Sequence, residues 1–230
     1  MTNEAELATL YPFLHGRAQA PDKLDAALLQ SVAAKAEESR AANAAFFADE
    51  AGALIEAAKA LAALWRGGGR LLAIGNGGSS CDAAHVAVEF LHPITPGRPA
   101  LPAMNLVADQ AMMSAVGNDV GFEAVFARQV IAHGRPGDGL MGFSTSGNSP
   151  NLIAAFAAAR ERGIATFGLA GGDGGKMKTA GVVDHCLVVA ASSVHRVQEC
   201  HVAAYHILWD LVHTLLADER GSAAHPGAAR

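Results

Sequence analysis

The sequence predicts a doubly wound α/β domain, a parallel sheet covered by helices on both faces, on three observations. Short apolar runs recur along the chain as RLLAIG (70–75), DGLMGFS (138–144), IATFGLA (164–170) and VVDHCLVV (182–189). Stretches of helical pattern, 80–91, 109–115, 122–132 and 150–162, alternate with them. The runs are unbroken rather than alternating polar and apolar, as strands buried on both faces are.

The elements follow in order. Residues 24–66 contain one glycine, Gly52, and no proline, and are rich in Ala, Leu, Glu and Lys, which is helix composition. Their length exceeds that of an ordinary globular helix, so two helices meeting near 43–50 are predicted, the second ended by RGGG (66–69). Alanine-rich faces suit them to close packing, including packing between subunits. A last helix is predicted over about 195–217. The small-residue tail 218–230 is expected to be disordered. Residues 1–23, with their apolar LYPFL, form an N-terminal extension, and 24–217 a single domain including the N-terminal helical pair.

Composition narrows the function. A hydrophobic content of 51% and 25 glycines suit one sizeable α/β core. The formal net charge is −5 and there is no basic run, so neither nucleic acid nor an anionic membrane is an expected partner. Three cysteines without CxxC spacing argue against a disulfide framework or a thiolate metal site and fit a reducing cytoplasm. No signal pattern opens the chain and no run of about 18 apolar residues occurs, so a soluble protein is expected.

In such folds ligands sit where strands end and helices begin. Two loops qualify. GNGGSS (75–80) combines glycines that admit close backbone approach with Asn76, Ser79 and Ser80; it is not GxGxxG, which disfavours a dinucleotide. STSGNSPN (144–151) offers the hydroxyls of Ser144, Thr145, Ser146 and Ser149 at a helix start. One hydroxyl, that of Ser149 before Pro150, suits an N-cap, but four point to a phosphate.

Glu89 lies in an apolar run, VAVEFL, where a carboxylate needs a metal, a cationic partner or a raised pKa. His85 stands four residues earlier, a rise of about 6 Å that returns to the same helix face. A histidine alone on such a face is most often structural; the paired glutamate changes that reading. HRVQECHVAAYH then sets Gln198, His201 and His206 among apolar residues of the last helix, with His201 read as a core or interface histidine.

GNGGSSCDAAH, VGNDVGF, STSGNS, DGGKM and QECHVAAYH, in that order, together resemble the sugar isomerase (SIS) domain. Within it the chain is most similar to the phosphoheptose isomerases, over about residues 30–217. The resemblance implies a flavodoxin-like sheet order and conversion of sedoheptulose 7-phosphate to D-glycero-D-manno-heptose 7-phosphate. It also implies one zinc ion per subunit on His85, Glu89, Gln198 and His206, with Glu89 and His206 catalytic. Substrate contacts would come from Asn76, Gly77, Gly78, Ser79, Glu89, Asn118, Asp119, Ser144, Thr145, Ser146, Ser149 and Gln198. The family's homotetramer, with sites between subunits in the cytoplasm, is the expected assembly. Gln198 and His206 are about 12 Å apart along a straight helix, so one metal meets both only if the helix is irregular or the side chains converge.

Two departures bear on the sugar. His195 stands where the family usually has an acidic residue, and FLHPITPGRP (90–99) replaces the usual Leu-Thr-Gly-Arg after the glutamate. An isomerase for a different phosphosugar is therefore one alternative. The other, from a different class, is a non-catalytic SIS protein that binds a bacterial replication initiator; such a module has no need of His85, Glu89 and His206 together. Asn118 and Asp119 read on their own as turn residues.

Overall fold

A computed structural model describes residues 21–223, with side chains described over 25–217. The chain divides into two compact units after Arg40. The expected extension 1–23 lies outside the described residues except for its last three.

Helix α1, Pro21–Arg66, is a single helix where the sequence predicts two. Nothing in 43–50 can break it: the segment has no glycine or proline, and the lone interior Gly52 costs only about 1 kcal/mol relative to alanine. Beyond Arg40, Phe46, Leu54, Ala57, Ala58, Leu61, Ala62 and Trp65 bury one stripe at three- and four-residue spacing, which outweighs that cost. The portion before Arg40 leaves Leu28, Leu29 and Val32 exposed.

In the second unit five strands form one parallel sheet: β1 (Leu71–Gly75), β2 (Ala103–Asn105), β3 (Gly139–Ser144), β4 (Ala165–Gly171) and β5 (His185–Val189), ordered β2-β1-β3-β4-β5. This is the predicted doubly wound, flavodoxin-like order. The four long apolar runs became β1, β3, β4 and β5, with β1 and β3 buried throughout. The edge strand β2, a three-residue strand that directly follows Pro102, was not predicted; it is half-buried and too short to show a period.

Helices α2 (Gly78–Leu91), α3 (Gln110–Asp119), α4 (Val125–His133), α5 (Pro150–Arg160), α6 (Gly175–Thr179) and α7 (Val194–Ala223) complete the fold. The one-turn-long α6 also escaped the sequence. Alternate strand residues feed two cores. Ala73, Met141, Phe143 and Leu169 pack with α1, α2 and α7; Leu72, Ile74, Leu140 and Ala170 pack with α4, α5 and the Met177 of α6. Helix α7 continues to Ala223, past the expected end at 217, and the rest of the tail lies outside the described residues.

The sequence reverses direction across the sheet at β1, which has β2 on one side and β3 on the other. Gly75 pairs with Phe143, so the loops leaving β1 and β3 emerge side by side at this switch point.

His201 belongs to the first core. It is fully buried on α7, its Nε2–H donates to the Ala170 carbonyl at 3.3 Å, and burial lowers its pKa from 6.5 to about 4. The unfolded chain therefore binds a proton between pH 6.5 and 4 that the folded chain refuses. The His201 contribution is complete above pH 6.5 and falls by about 3 kcal/mol as the pH drops to 4. Urea unfolding across this range should therefore show the parent losing about that much stability relative to His201→Gln, the difference between the two isolating this histidine from other titrating groups.

Candidate functional site

The two switch-point loops are stitched together by one pair of amides. Asn76 Nδ2 donates to Asn151 Oδ1 and Asn151 Nδ2 donates to Asn76 Oδ1, both at 2.9 Å. The Ser79 and Ser80 amides donate to the carbonyls of Asn76 and Gly77 at 3.0 Å, closing the first loop into a tight turn. Gly77 and Gly78 remain exposed at its crest, whereas Ser79 is buried beneath it. A Cβ on Gly78 would fall 2.3 Å from Gln198 Nε2, so the amide of Gln198 lies directly over the loop.

In the second loop Ser149 stands at the N-cap position of α5 but makes no side-chain cap bond. Its hydroxyl lies 3.0 Å from that of Ser144 instead. The capping reading thus fails for the hydroxyl, which stays within the serine cluster. Thr145 is half-buried and Ser146 exposed. Asn148, which the sequence reading passed over, braces the loop: its Nδ2 donates to the Ser146 carbonyl at 2.8 Å and its Oδ1 accepts from the Lys176 amide at 3.0 Å. Gly147, at φ 65°, takes the left-handed turn that brings its backbone against Gly174. A cleft of about 280 Å³ opens between the loops, lined by Asn76, Ser149, Pro150 and Asn151 with Phe122 and Glu123.

The helix leaving the first loop carries the second half of the site. His85 Nε2 lies 3.1 Å from Glu89 Oε1, and His206 Nε2 of α7 lies 4.0 Å from the same oxygen. One ligand atom from each of the three falls within 4.8 Å of the others, so two imidazoles and a carboxylate converge as a metal-binding group would. The Glu89 carboxylate is half-buried and faces two imidazole nitrogens, His85 Nε2 within hydrogen-bond distance and His206 Nε2 beyond it.

What holds this group lies behind it, and the sequence did not announce it. Tyr205 Oη is 2.7 Å from His85 Nδ1. Trp209 Nε1 donates to the Glu89 carbonyl at 2.8 Å, and the Arg98 guanidinium lies 4.3 Å above the Trp209 ring while bonding Asp210 at 2.6 Å. Arg98 is thus committed to α7. Asp82, one turn before His85, is buried, and burial raises its carboxyl to about 6 against the opposing pull of His85. Burial, then the charges of Asp82 and Glu89, push the Tyr205 phenol far above its ordinary range. A clue to Tyr205 and Trp209 was available in the sequence: with His206 they mark one α7 stripe, at three- and four-residue spacing.

The sequence reading also singled out Asn118 and Asp119. They end α3, exposed, with Asn118 Nδ2 donating to Asp119 Oδ1 at 2.7 Å. Neither is among the residues lining the inter-loop cleft or the neighbouring cleft of about 600 Å³ around Met113, Gly117 and Phe122.

A family model described as the SIS domain matches residues 36–171. The phosphoheptose isomerase of Solidesulfovibrio magneticus is 44% identical over 80% of this chain and 89% of its own length. That of Rhodospirillum rubrum is 46% identical over 73% of this chain and 88% of its own length. Among solved structures, phosphoheptose isomerase GmhA from Neisseria gonorrhoeae superposes with a TM-score of 0.76 at 37% identity, covering 81% of this chain and 99% of that one.

The two loop glycines should respond differently to alanine. Gly147→Ala places a Cβ 2.1 Å from the Gly174 carbonyl oxygen at a left-handed φ, and urea unfolding should show a loss of about 1–3 kcal/mol. Gly78→Ala meets only the mobile end of Gln198 within a helical first turn, and should change stability by less than about 1 kcal/mol.

Proposed function

Because the chain belongs to the SIS-domain phosphoheptose isomerase family, we propose that this isomerase interconverts sedoheptulose 7-phosphate and D-glycero-D-manno-heptose 7-phosphate. The observation that carries the reading is the convergence of His85, Glu89 and His206 on the helices beside the paired loops. A phosphate held by Ser144, Thr145, Ser146 and Ser149 at the start of α5 fixes the far end of the sugar, and that binding energy positions the reacting end. Asn76, Gly77 and Gly78 form the facing wall, and Ser79 supports it from below. Asn118 and Asp119 keep their proposed role as substrate contacts by family likeness alone.

The donor set fits zinc: two nitrogens and an oxygen, no thiolate, already gathered by the fold. His85, Glu89 and His206 would hold one ion per subunit, and the bound cation would act as a Lewis acid on the sugar's hydroxyl and carbonyl oxygens. Gln198 has been assigned to both metal and sugar; its amide over Gly78 supports the sugar assignment.

Ketose-to-aldose conversion removes a proton from C1, passes through an enediol and returns a proton to C2. Glu89 is the base that carries this proton. His206, 4.0 Å away, opens the sugar ring and moves the proton between the two oxygens. The non-catalytic alternative leaves the three converging groups without a use. The second alternative, a different phosphosugar, keeps one specific support: Arg98, in the segment that departs from the family, is bound to Trp209 and Asp210.

Among the described residues no helix is long and apolar enough to cross a membrane, and the three cysteines are free, which supports the cytoplasm as its location. The exposed Leu28, Leu29 and Val32 support a homotetramer. Light scattering at micromolar concentration should give the tetramer mass; a monomer would remove that part of the reading. Glu89→Gln should lower turnover of sedoheptulose 7-phosphate by about 10²–10⁴-fold, with the melting temperature of the metal-free protein unchanged. NMR of the reaction on ketose phosphates of different chain length checks both points: parental turnover in the variant overturns the role of Glu89, and faster turnover of another sugar overturns the substrate.

A further inference from the structure

The imidazole of His85 is gripped at both nitrogens. Nε2 faces Glu89 Oε1 at 3.1 Å and Nδ1 faces Tyr205 Oη at 2.7 Å. A neutral imidazole carries one N–H, so two arrangements exist. With the proton on Nε2, His85 donates to Glu89 and Nδ1 must accept. With the proton on Nδ1, His85 donates backward and the Nε2 lone pair is free for a cation. Only a group that both donates and accepts keeps Nδ1 bonded in the two cases, and a hydroxyl is such a group.

Tyr205 is built to stay where it is. It is 1% exposed, its ring stands edge-on to Phe143 at 5.8 Å and to His206 at 4.9 Å, and it precedes His206 directly in the chain. The phenol oxygen is thus shielded from solvent on a well-packed ring, and an Nδ1 left without this partner would lose its hydrogen bond. Adjacent residues of α7 thus flank one imidazole, His206 contributing its own nitrogen to the group and Tyr205 steadying the nitrogen behind it.

We propose that Tyr205 is a positioning residue whose hydroxyl keeps His85 hydrogen-bonded in both tautomers and so holds its Nε2 ready for the cation. This rests on the reading of His85, Glu89 and His206 as a metal group. Partners behind a ligating histidine fix its tautomer and orientation, and their loss typically weakens metal binding by about 10–100-fold.

The test is the zinc affinity of the full-length protein, metal-free at the start, measured by competition with a chromophoric chelator for the parent and Tyr205→Phe. The phenylalanine keeps the ring contacts, and the melting temperature of the metal-free variant reports whether the fold survives. Zinc affinity reduced about 10–100-fold in a folded variant is the expected result. A ¹⁵N NMR spectrum should also show His85 protonated on Nδ1 in the zinc-loaded parent. Equal zinc affinity of a folded variant and parent overturns the role of Tyr205 while leaving the metal group intact. Failure of the parent to bind zinc overturns the metal group and this inference with it. Should Tyr205→Phe not fold, the parent spectrum decides: a zinc-loaded His85 protonated on Nε2 overturns the proposal.

Discussion

The packing of α2 against α7 is the constraint on which the site depends. Glu89 and His85 come from the first helix and His206 from the second, and neither helix alone presents a usable set of ligands. Two cross-helix hydrogen bonds fix their relation, Tyr205 to His85 and Trp209 to the Glu89 carbonyl, at 2.7 and 2.8 Å. Both helices lie on the same face of the sheet, in the core that also holds Phe143, Tyr205 and Phe90. The placement of three polar groups is thereby delegated to apolar burial, which is strong and nondirectional, and refined by two directional bonds.

The loops obey a second constraint, the parallel pairing of β1 with β3. Their register sets Gly75 beside Phe143, and the Asn76–Asn151 amide pair then fixes the gap between a glycine crest and a serine cluster. Neither loop contains a basic residue, so an anion here meets hydroxyls, amides and the end of α5 rather than a point charge. Affinity of that kind depends on geometry more than on ionic strength, and the bracing by Asn148 and Gly147 supplies the geometry.

Much of this was legible in the residues. Four of five strands announced themselves as unbroken apolar runs, and the spacing of His85 and Glu89 announced a shared face. The misses have physical causes. The helix over 21–66 is continuous because a length prior carries no breaker, and only glycine or proline in 43–50 could have divided it. The edge strand β2 and the short α6 are below the length at which periodicity speaks. Asn148 and Asn151 bond partners 28 and 75 residues away, at separations that no local pattern records, and the stripe shared by Tyr205, His206 and Trp209 does not name their partners on α2.

Those separations carry a consequence for the order in which the molecule becomes itself. Asn76 meets a residue 75 positions later, and His85 one 120 positions later. Contacts between such distant points form only after the intervening chain has been organised, since closing a long loop must come before its reward. On the ribosome, the first half of the chain emerges with its histidine and glutamate already made and their counterparts still unsynthesised. Competence for chemistry is therefore acquired only after α7 has been made and docks against α2.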